Sequence, residues 1–484
     1  MPTVYIKTYG CQMNERDSEA VAAQLVGRGY SLVDEEQTAD VVLLNTCSVR
    51  DLAEQKALGK MQAMVGHSRK HRTGQVFGYL GCMAQSRGQS LAEGADGVQL
   101  VLGTQKFHRA ADHVDDLLAG RQKVVVDTDA EEGSQSKLAE HLSLEAAPGR
   151  RQVSAFVSIM QGCNQHCTFC IVPFTRGRER SRTLPEIVEE CRRLVDRGVR
   201  EVTLLGQIVT SFGRREYPAV DGRSPFVQLI EAVHGIEGLD RIRFTSPHPK
   251  GYGSDLVEAY GRLPKLVESA HLPLQSGSDR VLREMHRGYT RARFEEIVAG
   301  LRRIQPGMGI TTDIIVGFPG ETEADFEETL SVCRSIEFDN AFVFKYSPRR
   351  DTPAASMTGA LPEPLIEERH RRLLDVINEV GKRRYDAMVG RVVPILVEGI
   401  SRRNATRYEG RTRCNKIVVF SGATRHVGQV IPVRIERVGT FTLYGDPSVI
   451  GIDEAVGSAG ISREVGGEAG FGRVGMEAVG ELNR

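Results

Sequence analysis

A chain of 484 residues with 40% hydrophobic and 26% charged side chains has an ordinary globular composition, long enough for about three domains with separate cores. Its 63 basic and 63 acidic residues cancel, which excludes polyanion binding by global charge and leaves that work to local patches. No run approaches the ~18 apolar residues of a membrane span and no secretory signal opens the chain, so the nine cysteines are expected as free thiols in a reducing cytoplasm.

Residues 1–135 alternate short apolar strands with helices. Strands are predicted over residues 3–8, 40–44, 75–80, 98–102 and 123–127, and helices over 15–28 and 51–64. This alternation predicts a doubly wound α/β domain with a parallel sheet. Cys11, Cys47 and Cys82 each lie just beyond one of these strands, two of them directly after or near a glycine, Gly10 and Gly81. Residues past the carboxyl ends of such strands meet along one edge, in the crevice where ligands bind. The three thiols are therefore expected to converge; the alternative is three separate packing cysteines. The polar stretch 136–152 reads as a linker.

Over residues 153–385 the alternation resumes. Strands are predicted at 153–160, 202–205, 242–245, 267–272, 310–315 and 341–345, with helices such as 184–197 and 324–336 between them. Six such units predict an open, partial TIM-type (β/α)6 barrel. After its first strand comes Gln161-Gly162-Cys163-Asn164-Gln165-His166-Cys167-Thr168-Phe169-Cys170. Iron–sulfur clusters are held by thiolates, normally four. Three from one tight loop leave an iron open to a small molecule, the requirement for reductive cleavage of S-adenosylmethionine (SAM). A zinc site with His166 as fourth ligand is the alternative, although zinc favours paired C-x2-C units. Gln207, Ser246, His248, Gln275 and Ser276 cluster at strand ends, where such barrels place their chemistry. Cys191 and Cys333 fall inside amphipathic helices and read as packing residues; Cys414 has no partner by spacing.

Beyond residue 385 the helical pattern stops. Strands at 392–398, 416–420, 429–437 and 440–444 predict a small all-β barrel over 386–450. Between Lys382 and Arg437 thirteen Lys and Arg face four acids, a balance suited to RNA phosphates. Arg402, Arg403, Arg407, Arg411, Arg413 and Lys416 are the candidate contacts, against the alternative of a merely solvated basic face. The run Arg176-Gly177-Arg178-Glu179-Arg180-Ser181-Arg182 reads as a second basic stretch beside the cysteine loop. With no Trp in the chain, base stacking falls to Tyr, Phe or Arg. The tail 451–484, rich in Gly and Glu, is expected to be disordered. Its G-x-G-x-x-G at residues 470–475 follows no strand and opens no apolar helix, so it is not read as a nucleotide site.

Together these residues resemble the radical-SAM methylthiotransferases over nearly the whole chain. The resemblance is carried by Thr8-Tyr9-Gly10-Cys11-Gln12-Met13-Asn14-Glu15-Arg16-Asp17-Ser18-Glu19, Asn45-Thr46-Cys47-Ser48-Val49-Arg50 and Gly81-Cys82-Met83-Ala84-Gln85. His271-Leu272-Pro273-Leu274-Gln275-Ser276-Gly277-Ser278 and the segment 313–322 continue it, and the last strands resemble the TRAM domain, an RNA-binding module. The opening segment is similar to that of the tRNA-acting branch; the branch acting on a ribosomal protein typically has a Pro-Lys-Asn type sequence after that cysteine.

The resemblance implies two [4Fe–4S] clusters, a SAM-cleaving one on Cys163, Cys167 and Cys170 and an auxiliary one on Cys11, Cys47 and Cys82. It makes Gln207, Ser246, Gly317 and Glu321 candidate contacts to SAM. The implied substrate is the tRNA anticodon loop carrying N6-isopentenyladenosine at position 37, methylthiolated at C2, with SAM giving both the radical and the methyl group. An electron donor such as flavodoxin or ferredoxin, a monomeric state, a cytoplasmic location and no membrane contact complete the expectation. Two rivals are methylthiolation of a ribosomal-protein aspartate and a non-catalytic RNA-binding protein with structural metal. The chain departs from the tRNA branch at Ile208, Thr210 and Phe212, where Asn, Asn and Tyr are usual, and at Arg350-Asp351-Thr352 in place of Pro-Gly-Thr.

Overall fold

The computed structural model describes residues 1–48, 51–71, 74–94, 97–131, 139–142 and 152–447. Most of the expected linker, Val49 and Arg50 of the second cysteine motif, residues 448–450, the tail and its G-x-G-x-x-G lie outside the described residues.

The amino-terminal domain contains β1 (Thr3–Tyr9), α1 (Gln12–Gly27), β2 (Ser31–Leu32), β3 (Val41–Thr46), α2 (Asp51–His71), β4 (Val76–Gly81), α3 (Cys82–Arg87), α4 (Gln89–Gly94), β5 (Val98–Leu102), α5 (Ala110–Leu118) and β6 (Val125–Asp127). Its strands form one parallel sheet in the order β2-β1-β3-β4-β5-β6. Helices cover both faces, so β3 is apolar on both: Val41 and Leu43 pack with Val21 and Leu25 of α1, and Val42 and Leu44 with Met61 of α2.

The central domain follows with β7 (Ser154–Ser158), β8 (Met160–Gln161), α6 (Val172–Arg176), β9 (Arg180–Ser181), α7 (Leu184–Asp196), β10 (Glu201–Leu205), α8 (Pro225–His234), β11 (Arg241–Phe244), α9 (Ser254–Arg262), β12 (Ser269–His271), α10 (Asp279–Glu284), α11 (Arg291–Ile304), β13 (Gly309–Val316), α12 (Glu323–Ile336), β14 (Asn340–Lys345) and α13 (Glu363–Asp386). Two parallel three-stranded sheets, β11-β10-β7 and β12-β13-β14, are joined by the Ile242–Leu266 bridge. That makes a six-stranded open barrel with its helices outside. Threonine caps start α7 and α12: Thr183 and Thr322 each accept from a backbone N–H three residues on. The β8–β9 pair, Met160 opposite Ser181 and Gln161 opposite Arg180, ties the base of the three-cysteine loop.

Five strands, β15 (Val392–Ser401), β16 (Asn404–Thr412), β17 (Ile417–Phe420), β18 (Val430–Val438) and β19 (Thr442–Pro447), close into a barrel in the order β15-β16-β17-β19-β18. Ile395, Val397, Val418, Phe420, Val433 and Leu443 fill it. β16 was not expected. Its sequence, Asn-Ala-Thr-Arg-Tyr-Glu-Gly-Arg-Thr, carries almost no apolar alternation, and its place comes from pairing with β15 and β17.

Buried polar ties dock the domains. Arg241 donates to the Arg411 carbonyl at 2.7 Å, and Lys416 pairs with Asp339. On the other side Thr104 Oγ1 donates to the Thr175 carbonyl at 2.6 Å. There Glu190 of α7 takes Arg182 at 2.6 Å and His141 at 2.7 Å, with Arg16 of α1 at 3.8 Å. No helix among the described residues is long and apolar enough to cross a membrane.

Candidate active site

The sheet register builds the first thiol group. Tyr9, Thr46 and Gly81 lie side by side at the ends of β1, β3 and β4. Cys47 and Cys82 follow their strands directly and Cys11 is two residues past Tyr9, so three adjacent strands deliver three thiols to one edge. Two glycines permit the approach. A Cβ at Gly10 would lie 3.1 Å from the Cys47 Cβ, and one at Gly81 (φ +93°) would lie 2.3 Å from Asn45 Oδ1. Cys47 and Cys82 are buried and Cys11 is exposed.

Asn14, on the first turn of α1, sits among them. Its Nδ2 donates to Asn45 Oδ1 and the Thr46 carbonyl, both at 3.1 Å, and its Oδ1 lies 3.4 Å from Cys11 Sγ. The same oxygen accepts from Arg176 Nη2 at 3.2 Å, and that nitrogen also donates to Asp17 at 2.7 Å. Burial pushes the Cys82 thiol up, and the Arg176 charge opposes it.

Cys163, Cys167 and Cys170 occupy the loop between β8 and α6, and neighbours hold its backbone. Cys163 N donates to the Gly177 carbonyl at 3.1 Å and Thr168 N to the Met285 carbonyl at 3.2 Å. Thr168 Oγ1 donates to the Glu284 carbonyl at 2.9 Å. Arg287, buried beneath the loop, donates from Nη1 to Cys167 Sγ at 3.3 Å and from Nε to Tyr289. Burial pushes the Cys163 thiol up to about 11 and Cys170 up to about 12. His166 is exposed at φ +49°, between the buried Cys163 and Cys167 in sequence.

The four residues expected to touch SAM stand at the strand ends of the same barrel, in different states. Gln207 Oε1 is buried without a hydrogen-bond partner. Ser246 sits at φ +55°, its carbonyl accepting from Val209 N at 3.2 Å. Gly317 (φ +76°) opens the turn after β13. The Glu321 carboxylate is already occupied: it accepts from Gly317 N at 3.0 Å and pairs with Arg369 at 2.9 Å, so it shapes the turn. The departures from the usual sequence are structural. Ile208 and Phe212 are buried, and Thr210 Oγ1 accepts from His248 N at 3.1 Å, pinning the neighbouring loop. Asp351 stands at φ +65°, a left-handed position natural for the usual glycine and tolerated by aspartate.

The expected basic contacts divide. Arg402 and Arg403 are exposed at the tip between β15 and β16, and Arg407 is half-buried nearby. Arg402 lies close enough to Glu15 of α1 for their charges to interact, so this hairpin faces the first turn of α1. Arg411 pairs with Glu398 at 3.1 Å. Two candidates need correction. Arg413 grips Glu268, and Lys416 is buried against Asp339 and over the Tyr385 ring, so both join domains instead of facing RNA. The run at residues 176–182 needs the same correction: Arg176 and Arg182 are buried in ion pairs and Arg180 binds Gln105, leaving Arg178 exposed.

Asn14, Asp17, Arg176 and Arg287 were not singled out from sequence as parts of these sites. The helical spacing of Asn14 and Asp17 after Cys11 was the available signal for the first two. Among the described residues no three His, Cys, Asp or Glu side chains close around a single metal ion. Each trio instead offers only sulfur, from neighbouring backbone segments, the donor set of iron–sulfur clusters. Gln207 Oε1, His248 Nε2 and Arg176 Nη1 are buried polar atoms without partners. A further group at each site would satisfy them, and with the all-sulfur trios the residues present fit two clusters and a polar small molecule.

Residues 3–103 match the uncharacterized protein family UPF0004, 157–333 the radical SAM superfamily and 386–447 the TRAM domain. A protein of Opitutus terrae named tRNA-2-methylthio-N(6)-dimethylallyladenosine synthase is 50% identical over 475 residues, covering 93% of this chain and 98% of its own. Its namesake in Methylacidiphilum infernorum is 49% identical over 458 residues, covering 94% and 97%. Among solved structures, the radical S-adenosylmethionine methyltransferase TsrM of Kitasatospora setae, with cobalamin and a [4Fe-4S] cluster bound, superposes with a TM-score of 0.55 at 14% identity. It covers 73% of this chain and 77% of its own, a likeness of fold.

Proposed function

The chain belongs to the radical-SAM tRNA methylthiotransferases for which those relatives are named, and from that premise we propose how its residues divide the reaction. The substrate is N6-isopentenyladenosine at position 37 of tRNA, and the product carries a methylthio group on C2. That C2–H bond is neither acidic nor easily displaced, so a side-chain base would not suffice. When bound, two [4Fe–4S] clusters and SAM supply the radical that takes this hydrogen and the methylated sulfur that replaces it.

The protein's own part is holding and placing. Cys163, Cys167 and Cys170 anchor the SAM-cleaving cluster, and Arg287 steadies Cys167 from below. The Gln207 amide, Ser246 and the Gly317 backbone orient SAM, with Glu321 keeping the Gly317 turn closed. Cys11, Cys47 and Cys82 anchor the auxiliary cluster. Arg402, Arg403 and Arg407 take tRNA phosphates beside the first turn of α1, where the anticodon-loop base is splayed from its stack. We place the enzyme in the cytoplasm, as a monomer reduced by a donor such as flavodoxin or ferredoxin.

The observation that supports this division best is α6. It starts two residues after Cys170 and ends at Arg176 among the auxiliary thiols, so one short helix links the two sulfur sites. The test is anaerobic reconstitution with iron and sulfide, then incubation with SAM, reductant and either unmodified or isopentenylated tRNA, followed by nucleoside analysis. A methylthio gain on the isopentenylated tRNA alone is expected. No gain on either tRNA overturns the reading.

A further inference from the structure

We infer that Arg176, although it belongs to the radical-SAM core, is the cationic partner of the auxiliary cluster, its Nη1 donating to a sulfur of that site. The inference rests on the functional reading above and goes beyond its six ligands to a residue that touches the cluster they hold.

Arg176 ends α6 and is buried, its side chain 3% exposed. One side of the guanidinium is used: Nη2 binds Asp17 at 2.7 Å and Asn14 at 3.2 Å. Nη1 is shielded from water and has no partner. A buried guanidinium nitrogen left idle costs the desolvation of its N–H groups, and native structures rarely leave one so without a ligand. Its surroundings point to sulfur. Asn14, which accepts from Nη2, also meets Cys11 Sγ at 3.4 Å. Cys82 and Cys11 both lie close enough to the guanidinium to interact with it.

Charge balance gives the same answer. A [4Fe–4S] cluster on three thiolates is an anion, and reduction by one electron adds a further negative charge. In a poorly solvated site this charge needs a cation or hydrogen-bond donors at the sulfurs, which also raise the reduction potential. Asp17 pairs with Arg176 and fixes its orientation, so what the site receives is the N–H groups of Nη1. The amino-terminal domain thus makes the thiol site, and the radical-SAM core supplies the guanidinium donor that completes it. Arg349 of the core, whose charge reaches Cys47, serves as the control.

The test uses the full-length chain with the SAM-site cysteines replaced by alanine, so that only the auxiliary cluster is loaded. Arginine is labelled with 15N, and the reduced cluster is read by pulsed EPR and by redox titration. The parent should show a 15N coupling. The coupling should survive in Arg349→Gln and vanish in Arg176→Gln. The auxiliary couple should move to lower potential in Arg176→Gln and by a smaller step in Arg176→Lys, at unchanged iron content. If Arg176→Gln fails to retain iron, coupling kept in Arg349→Gln and lost in Arg176→Lys still supports the assignment. A parent without 15N coupling, or a coupling lost in Arg349→Gln and kept in Arg176→Lys, overturns it. A parent that loads no cluster at all defeats the functional reading itself, a distinct result.

Discussion

Arg413 of the small barrel holds Glu268 of the core through two nitrogens, Nε at 2.6 Å and Nη2 at 2.8 Å, and Nη2 also donates to the Leu266 carbonyl at 3.0 Å. Three residues after Arg413, Lys416 is buried against Asp339. These cations are structural. Lys416→Met should cost about 3 kcal/mol, because it leaves the buried Asp339 carboxylate with the more distant Arg384, at 3.4 Å, as its cation. Adding Asp339→Asn should recover much of the loss. Urea denaturation checks both, and a Lys416→Met chain as stable as the parent would remove Lys416 from the domain joint.

Salt dependence of tRNA binding separates the remaining basic residues. Replacing Arg402, Arg403 and Arg407 by glutamine should lower the slope of log affinity against log salt by about 2, at roughly 0.7 per phosphate contact on single-stranded nucleic acid. Arg413→Gln should leave the slope as it was, since its guanidinium is turned to Glu268. An unchanged slope in the triple variant would take the β15–β16 hairpin out of the interface.

The two thiol groups should separate by function. Cys163→Ala is expected to abolish 5′-deoxyadenosine formation. Cys47→Ala is expected to keep part of it while losing methylthio product, and each variant should drop about four irons per chain. Full product from Cys47→Ala would sink the auxiliary site.

His248 gives a pH prediction. Burial, followed by the nearby Arg287, Lys250 and Arg214 charges, pushes its imidazole down to about 2. The folded state therefore holds it neutral, while the unfolded chain protonates it near 6.5. Its contribution is fully present above that value and is lost as pH falls below it. Between pH 7.5 and 5.5 the parent should lose about 1.4 kcal/mol more stability than His248→Gln, at 1.36 kcal/mol per pH unit. Thermal or urea midpoints at the two pH values measure it; parallel losses would show that His248 is not held neutral.

Much of this architecture was legible because periodicity and burial agree. β3 reads as a continuous apolar run since both its faces are covered, and the thiols after it could be placed by strand order alone. β16 was not legible: nine residues with little apolar pattern become a strand because two neighbours supply the ladder. The arginines at 176, 182 and 413 were misread for a related reason. A run of positive charge looks the same in sequence whether it faces water or a buried carboxylate; Asp17 and Glu268 are far from their arginines along the chain, and Glu190 reaches Arg182 from the following helix. The commitment of Glu321 to Arg369 was hidden likewise.

Because Cys11, Cys47 and Cys82 all precede the core, a growing polypeptide exposes the complete auxiliary trio at the ribosome well before α6 has been translated. Iron delivered during synthesis thus meets an uncovered sheet edge. In the finished protein Arg176 and Thr175 are docked against that domain and Cys11 stays exposed. Iron therefore meets a different surface at this half of the molecule during translation than it does after folding.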